Sequence, residues 1–130
     1  MAVNVNTEIS YWQDGAKESL EFADMLVSEL QHFGPSLFWA HLALEKTLKA
    51  HVCKETKEIA PRLHDLVKLA EIGKIELQPE QVEFFQTMNF YFREGNYLGL
   101  EYPEPSEQQT REYINRAKEM IYSLQIPLAE

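Results

Sequence analysis

The run LEKTLKAHV at residues 44–52 sets Glu45, Lys46, Lys49 and His51 inside an otherwise apolar, strongly helical stretch. Glu45 and Lys49 stand four apart with the acid first, the favourable order for an exposed intrahelical ion pair worth roughly a few tenths of a kcal/mol. Lys46 precedes Lys49 by three, so both ammonium groups can reach one surface. Two kinds of chemistry fit: a solvated helix face, or paired cations that hold an anionic ligand. Spacing alone favours the solvated face, because most exposed charge patterns serve solvation.

Other reactive side chains offer less. The glycines at 15, 34, 73, 95 and 99 are isolated, so no phosphate-cradling loop is present. Cys53 has no CxxC partner and falls in a helical segment, as expected of an inert thiol. His41 and His51 are nearly three turns apart, too far along one helix to share an ion, and no metal site is expected. His64 follows Pro61-Arg62-Leu63 and precedes a short helical pattern. Its ring can tie the loop to the body of the protein or face a ligand.

Length and composition bound what carries these groups. The 130 residues fit one domain, with a core spanning about 8–124, and can bury that core without metals or disulfides. A net charge of −9 argues against holding duplex nucleic acid on a general basic surface. The middle of the chain differs: Lys46, Lys49, Lys54, Lys57, Arg62, Lys68 and Lys74 outnumber the acids there by three. No apolar run is long enough to span a membrane and the N-terminal stretch lacks signal-peptide character. With a single cysteine, a cytoplasmic location is expected.

The elements follow from periodicity. Ile9, Trp12, Ala16, Leu20, Ala23, Val27 and Leu30 form one stripe of a helix from about Thr7 to His32, capped by Asn6 or Thr7 and ended by Gly34-Pro35. The next helix starts near Pro35 and runs to about Thr56, with Leu37, Phe38, His41, Leu44, Leu48 and Val52 inward. HDLVKLAEIG forms a short helix closed by Gly73, and Pro79 opens another long one through Glu94. Ser106 with Gln109 reads as a capping box for the last helix, whose stripe is Tyr113, Ile114, Ala117, Ile121 and Leu124. No segment alternates with period two. The expected fold is all-α, an up-and-down bundle of four main helices plus a short helix. Trp12, Leu44, Leu48, Phe85, Ile114 and Ile121 should meet in one core. The aromatics of residues 84–92 exceed what one helix face buries, so Phe84, Tyr91 or their neighbours are expected at a homodimer interface.

FWAHLALEKTLKAHV resembles the second-helix signature of the HEPN domain (higher eukaryotes and prokaryotes nucleotide-binding), a Q-A-x-E-K-x-x-K-A-like run matched at Glu45-Lys46 and Lys49-Ala50. Leu42 replaces the usual polar residue. Trp12-x-x-x-Ala16 and HDLVKL, with His64, Leu66 and Leu69, fit the same family in the right order. The resemblance implies a helical bundle, usually dimeric, often encoded beside a minimal nucleotidyltransferase and often part of a toxin–antitoxin pair. Active members are ribonucleases with Arg, four to six residues, then His. Here Arg93 is the candidate Arg, but Leu98, Gly99 and Leu100 stand where the His belongs, which argues against an enzyme. A second subfamily carries Arg-Tyr-Pro. This chain has Asn96-Tyr97-Leu98 or Glu101-Tyr102-Pro103 in that region, with the Arg replaced in either register.

The expectation is a non-catalytic nucleotide- or anion-binding and dimerisation module, with Lys46, Lys49, His64, Arg93, Tyr97 and Tyr102 as ligand residues. No catalytic residue and no cofactor beyond a nucleotide ligand are expected. The alternatives are a metal-independent ribonuclease using Arg93 with a displaced base, and a structural helical subunit without a small ligand.

Overall fold

The computed structural model describes residues 3–94 and 104–127. Among the described residues the chain forms five helices: α1 (Val5–Ser28), α2 (Phe33–Thr56), α3 (Leu66–Ile72), α4 (Pro79–Glu94) and α5 (Glu107–Ser123). No strand occurs among them, as the absence of period-two alternation requires.

The helix ends show how local sequence sets the frame. Asn4, earlier than expected, caps α1 by accepting from Thr7 N at 3.1 Å. The helix stops at Ser28, well before Gly34. Gln31 takes the left-handed conformation (φ 54°), and His32 N–H turns back to the Leu26 carbonyl. Gly34 and Pro35 therefore lie inside the first turn of α2 and do not end α1. Leu30, left beyond the helix, is 52% exposed and not part of the buried stripe. Asp65 caps α3 through Val67 N and Lys68 N, and Ser106 caps α5 through Gln109 N.

Side-chain pairs fix the directions of the four long helices. Along α1 and α2, Ser36 reaches the Ala23 carbonyl, Lys46 reaches Ser19 and Lys49 lies over Trp12, so the two run antiparallel. His41 with Asn89 and Phe38 with Phe92 make α4 antiparallel to α2. Tyr91 against Tyr113 and Gln81 against Met120 do the same for α4 and α5. Asp24 with Lys118 and Gln13 with the Ile126 carbonyl close the ring between α1 and α5. This is an up-and-down bundle with α2 packed against every other helix.

Leu37, Leu44, Leu48, Phe85, Met88 and Ile114 form the main core, each almost wholly withdrawn from water, and Ile121 packs against it. Trp12 departs from the expected single core. It packs on a separate cluster of Ile9, Ala50, Cys53 and Ile126 at the other end of α2. Of the α4 aromatics, Phe84 is packed within the chain. Phe84 is 4% exposed, facing Tyr113 with the Arg116 guanidinium 4.3 Å from its ring centre, and Tyr91 packs against the core beside Tyr113. Phe84 is thus buried within its own chain and is not free to cross a two-fold axis.

Candidate functional site

The charged stretch of α2 is not a wet face. Glu45 is 4% and Lys49 5% exposed, although their spacing reads as a surface pair. The i,i+4 geometry is as expected, with Lys49 Nζ donating to Glu45 Oε2 at 2.9 Å. What removes it from water is tertiary: Trp12 of α1 places its ring 5.1 Å beneath Lys49 Nζ, and the loop after α2 brings His64 over the carboxylate. His64 Nδ1 stands 3.0 Å from Glu45 Oε1. One buried carboxylate therefore serves two cationic or hydrogen-bonding partners on its two oxygens. That arrangement keeps a charge tolerable out of water.

Behind this pair runs a second polar chain. His41, fully buried, bonds through Nε2 to Asn89 Oδ1 at 3.0 Å. The same Asn89 oxygen accepts from Leu66 N at 3.1 Å, and Asn89 Nδ2 donates to Asp65 Oδ1 at 3.1 Å. His41 Nδ1 has no hydrogen-bond partner and sits 3.8 Å from Glu45 Oε1. Burial holds the His41 pKa down to about 4, against partial offsets from Asn89 and Glu45, so the ring is neutral at pH 7. With Nε2 donating its proton to the amide oxygen, Nδ1 is left as an unprotonated acceptor facing another acceptor, which accounts for the missing bond. Asn89 thereby ties α2, the α3 cap and α4 together at one end of the bundle.

The expected ligand residues divide into separate groups. Lys49 and His64 are joined through Glu45, but Lys49 lies behind the carboxylate, away from water. Lys46 turns toward α1, where its ammonium donates to Ser19 Oγ at 2.9 Å. Its stem crosses α1 at Gly15, where an added Cβ would lie 3.1 Å from Lys46 Cδ. Lys46 and Lys49 thus do not form a common anion-binding pair. Arg93 is exposed on α4 and lines a concavity of about 390 Å³ between α3 and α4, with Asp65, Lys68, Glu71, Gln86 and Asn89 among its other walls. His64 adjoins Asp65 in the chain and packs on Phe92, so it shares this end with Arg93. Tyr97 and Tyr102 lie outside the described residues.

Several residues of this site escaped the sequence pattern. Asn89 follows Met88 in α4, and both are buried. Asp65 had a legible signal, an acid immediately before the apolar run of α3. Lys68 was visible only as part of the basic middle of the chain, and Phe92 only as part of the aromatic run of α4. No group of His, Cys, Asp and Glu suited to a metal occurs among the described residues. His51 is used structurally, its Nε2 2.6 Å from the Leu124 carbonyl, and burial lowers its pKa. Cys53 is buried, and burial raises its thiol pKa, as for an inert residue.

An antiparallel helical ring built around a Glu45–Lys49 helix, with a His-x-Leu-x-x-Leu element docked on it, defines a HEPN-type domain. The HEPN domain family matches residues 9–126, nearly the whole sequence, and the chain belongs to that family. Membership places it in a nucleotide-binding and ribonuclease-type superfamily. No curated protein and no solved structure matches the chain. Among the described residues no helix is long and apolar enough to cross a membrane.

Proposed function

We propose that this chain is a non-catalytic nucleotide- or anion-binding HEPN module that dimerises and works beside a minimal nucleotidyltransferase, as a toxin–antitoxin component. One observation supports the binding site: His64, Lys68 and Arg93 gather at the α3–α4 end of a protein whose net charge is −9. Convergence of several donors is what turns weak point charges into a phosphate site. Two acids share that wall: Asp65, whose Oδ1 already accepts from Val67 N, Lys68 N and Asn89 Nδ2, and the exposed Glu71. Lys49 acts at one remove, holding the carboxylate that fixes His64, and Lys46 adds positive potential without touching the ligand. The chain has histidines only at 32, 41, 51 and 64, so none follows Arg93 at the ribonuclease spacing. The dimer and the nucleotidyltransferase partner rest on the family alone, and a lone buried Cys53 suits a reducing cytoplasm.

A second reading draws on the Glu45–His64 contact. A carboxylate bonded to one imidazole nitrogen orients the ring and can support proton transfer at the other. With Arg93 nearby, His64 would then be the displaced base of a ribonuclease.

Titration calorimetry with ATP or GTP at low salt tests the proposal. Saturable heat in the wild type and a loss in Arg93→Ala support it. Equal heats in both proteins, or none in either, leave a structural helical subunit. Sustained cleavage of single-stranded RNA, abolished in both His64→Ala and Arg93→Ala, would put the enzyme in its place.

A further inference from the structure

We infer that His41 is the reserve partner of the Glu45 carboxylate: when the His64 ring leaves Oε1, a proton from solvent enters at His41 Nδ1 and closes a bond to the same oxygen. The device needs no ligand and does not depend on the nucleotide-binding proposal.

The hydrogen bonds around His41 leave one place for a proton. Asn89 is fixed in orientation, because its Oδ1 accepts from Leu66 N at 3.1 Å and its Nδ2 donates to Asp65 Oδ1 at 3.1 Å. His41 Nε2, 3.0 Å from that same oxygen, must therefore carry a proton, and Nδ1 of the neutral ring carries none. Nδ1 is buried without a hydrogen-bond partner, 3.8 Å from Glu45 Oε1. A buried polar atom left without a partner is rare and calls for a cause. Here the cause is competition. Glu45 Oε1 already accepts from His64 Nδ1 at 3.0 Å, and Oε2 from Lys49 Nζ at 2.9 Å.

The two imidazoles differ in freedom. The His64 side chain is 58% exposed on the segment between α2 and α3, whereas that of His41, on α2, is 0% exposed. His64 can leave without opening the core. Its departure would strip a buried carboxylate of one of two partners, a costly state. An imidazolium at position 41 removes that cost, donating through Nδ1 to Glu45 and through Nε2 to Asn89. The charges around His41 agree with this direction. Glu45 on the same helix draws a proton in, and His64 opposes one. Lys49 stays on the far carboxylate oxygen, and α4 presents the neutral Asn89, with Asp65 beyond it, and the Phe92 ring. While His64 is docked, burial holds the His41 pKa near 4, and the ring is neutral at pH 7. Withdrawal of His64 thus becomes a protonation inside the bundle. A ligand taken by the open Nε2 of a docked His64 leaves His41 unprotonated.

The test is nitrogen NMR of the histidine rings as a function of pH. In the wild type, His41 Nδ1 should be bare at neutral pH and take a proton only near pH 4. His64→Phe keeps a ring beside Phe92 but offers Glu45 no N–H. There His41 should bind its proton at least about tenfold more tightly, a rise of one pH unit. In Glu45→Gln/His64→Phe that rise should vanish. Thermal unfolding checks that each variant is folded. Should Glu45→Gln fail to fold with Lys49 left without a counter-charge, the background Glu45→Gln/Lys49→Met removes both charges and serves in its place. No rise in His64→Phe would overturn the inference. So would a rise that persists without the Glu45 carboxylate, because water entering beside the new ring would then carry the effect. A wild-type His41 protonated at Nδ1 at neutral pH would overturn it as well.

Discussion

His64 and Glu45, nineteen residues apart in the chain, meet at 3.0 Å, the carboxylate side chain 5% exposed and the imidazole 58% exposed. The buried partner anchors and the open partner faces solvent. Lys49 on the other carboxylate oxygen completes the anchor. This joins a stability element and a solvent-facing ring through a single side chain.

Breaking the anchor should therefore be costly. Lys49→Met leaves Glu45 buried with one partner fewer and should destabilise by about 3–5 kcal/mol, far more than a surface pair would. Chemical denaturation measures it. The double variant Glu45→Gln/Lys49→Met should recover part of the loss, and additive losses would show that the pair is not coupled.

Phe84 gives a contrast between packing and association. Its burial under Arg116 and Tyr113 means that Phe84→Ala should lower stability by about 3–5 kcal/mol. The sedimentation of the remaining folded protein should not change. Loss of a dimer without loss of stability would restore Phe84 to an interface.

His41 predicts a pH dependence. Its folded pKa is lowered from 6.5 to about 4, chiefly by burial. Well above pH 6.5 the ring is neutral in both states and contributes no slope. As pH falls from 6.5 toward 4, the unfolded chain binds a proton that the folded chain refuses, so stability declines by on the order of 3 kcal/mol. Below about 4 this contribution levels off. Denaturation of wild type and His41→Gln across that range isolates it, since carboxylates and His51 titrate in both. Parallel curves would mean that His41 is not held neutral.

The helices were legible because burial imprints a period on them. Leu44 and Leu48, four apart, face the core as their spacing requires, and Gly73 and Ser106 mark ends that the backbone respects. The site was legible only in part. An acid and a lysine at i,i+4 look alike on an exposed helix and a covered one, and what covers Glu45 and Lys49 comes from Trp12 and His64, distant in sequence. Gln31 shows the same limit locally. A non-glycine residue took the left-handed position, so the glycine at 34 pointed to the wrong place for the end of α1. Lys46 was correctly placed beside Lys49 in sequence, but the opening at Gly15 sends its ammonium to Ser19.

The central claim is that a nucleotide binds at the His64–Arg93 end of the bundle, and the most direct measurement is NMR of the four histidine rings during titration with ATP at low salt. The His64 ring resonances should shift saturably, with those of the buried His41 and of His51, held at Leu124, moving little. Arg93→Ala should weaken the response severalfold. Shifts confined to His32, or no shift at ATP concentrations that fully occupy any site seen by calorimetry, would contradict the account.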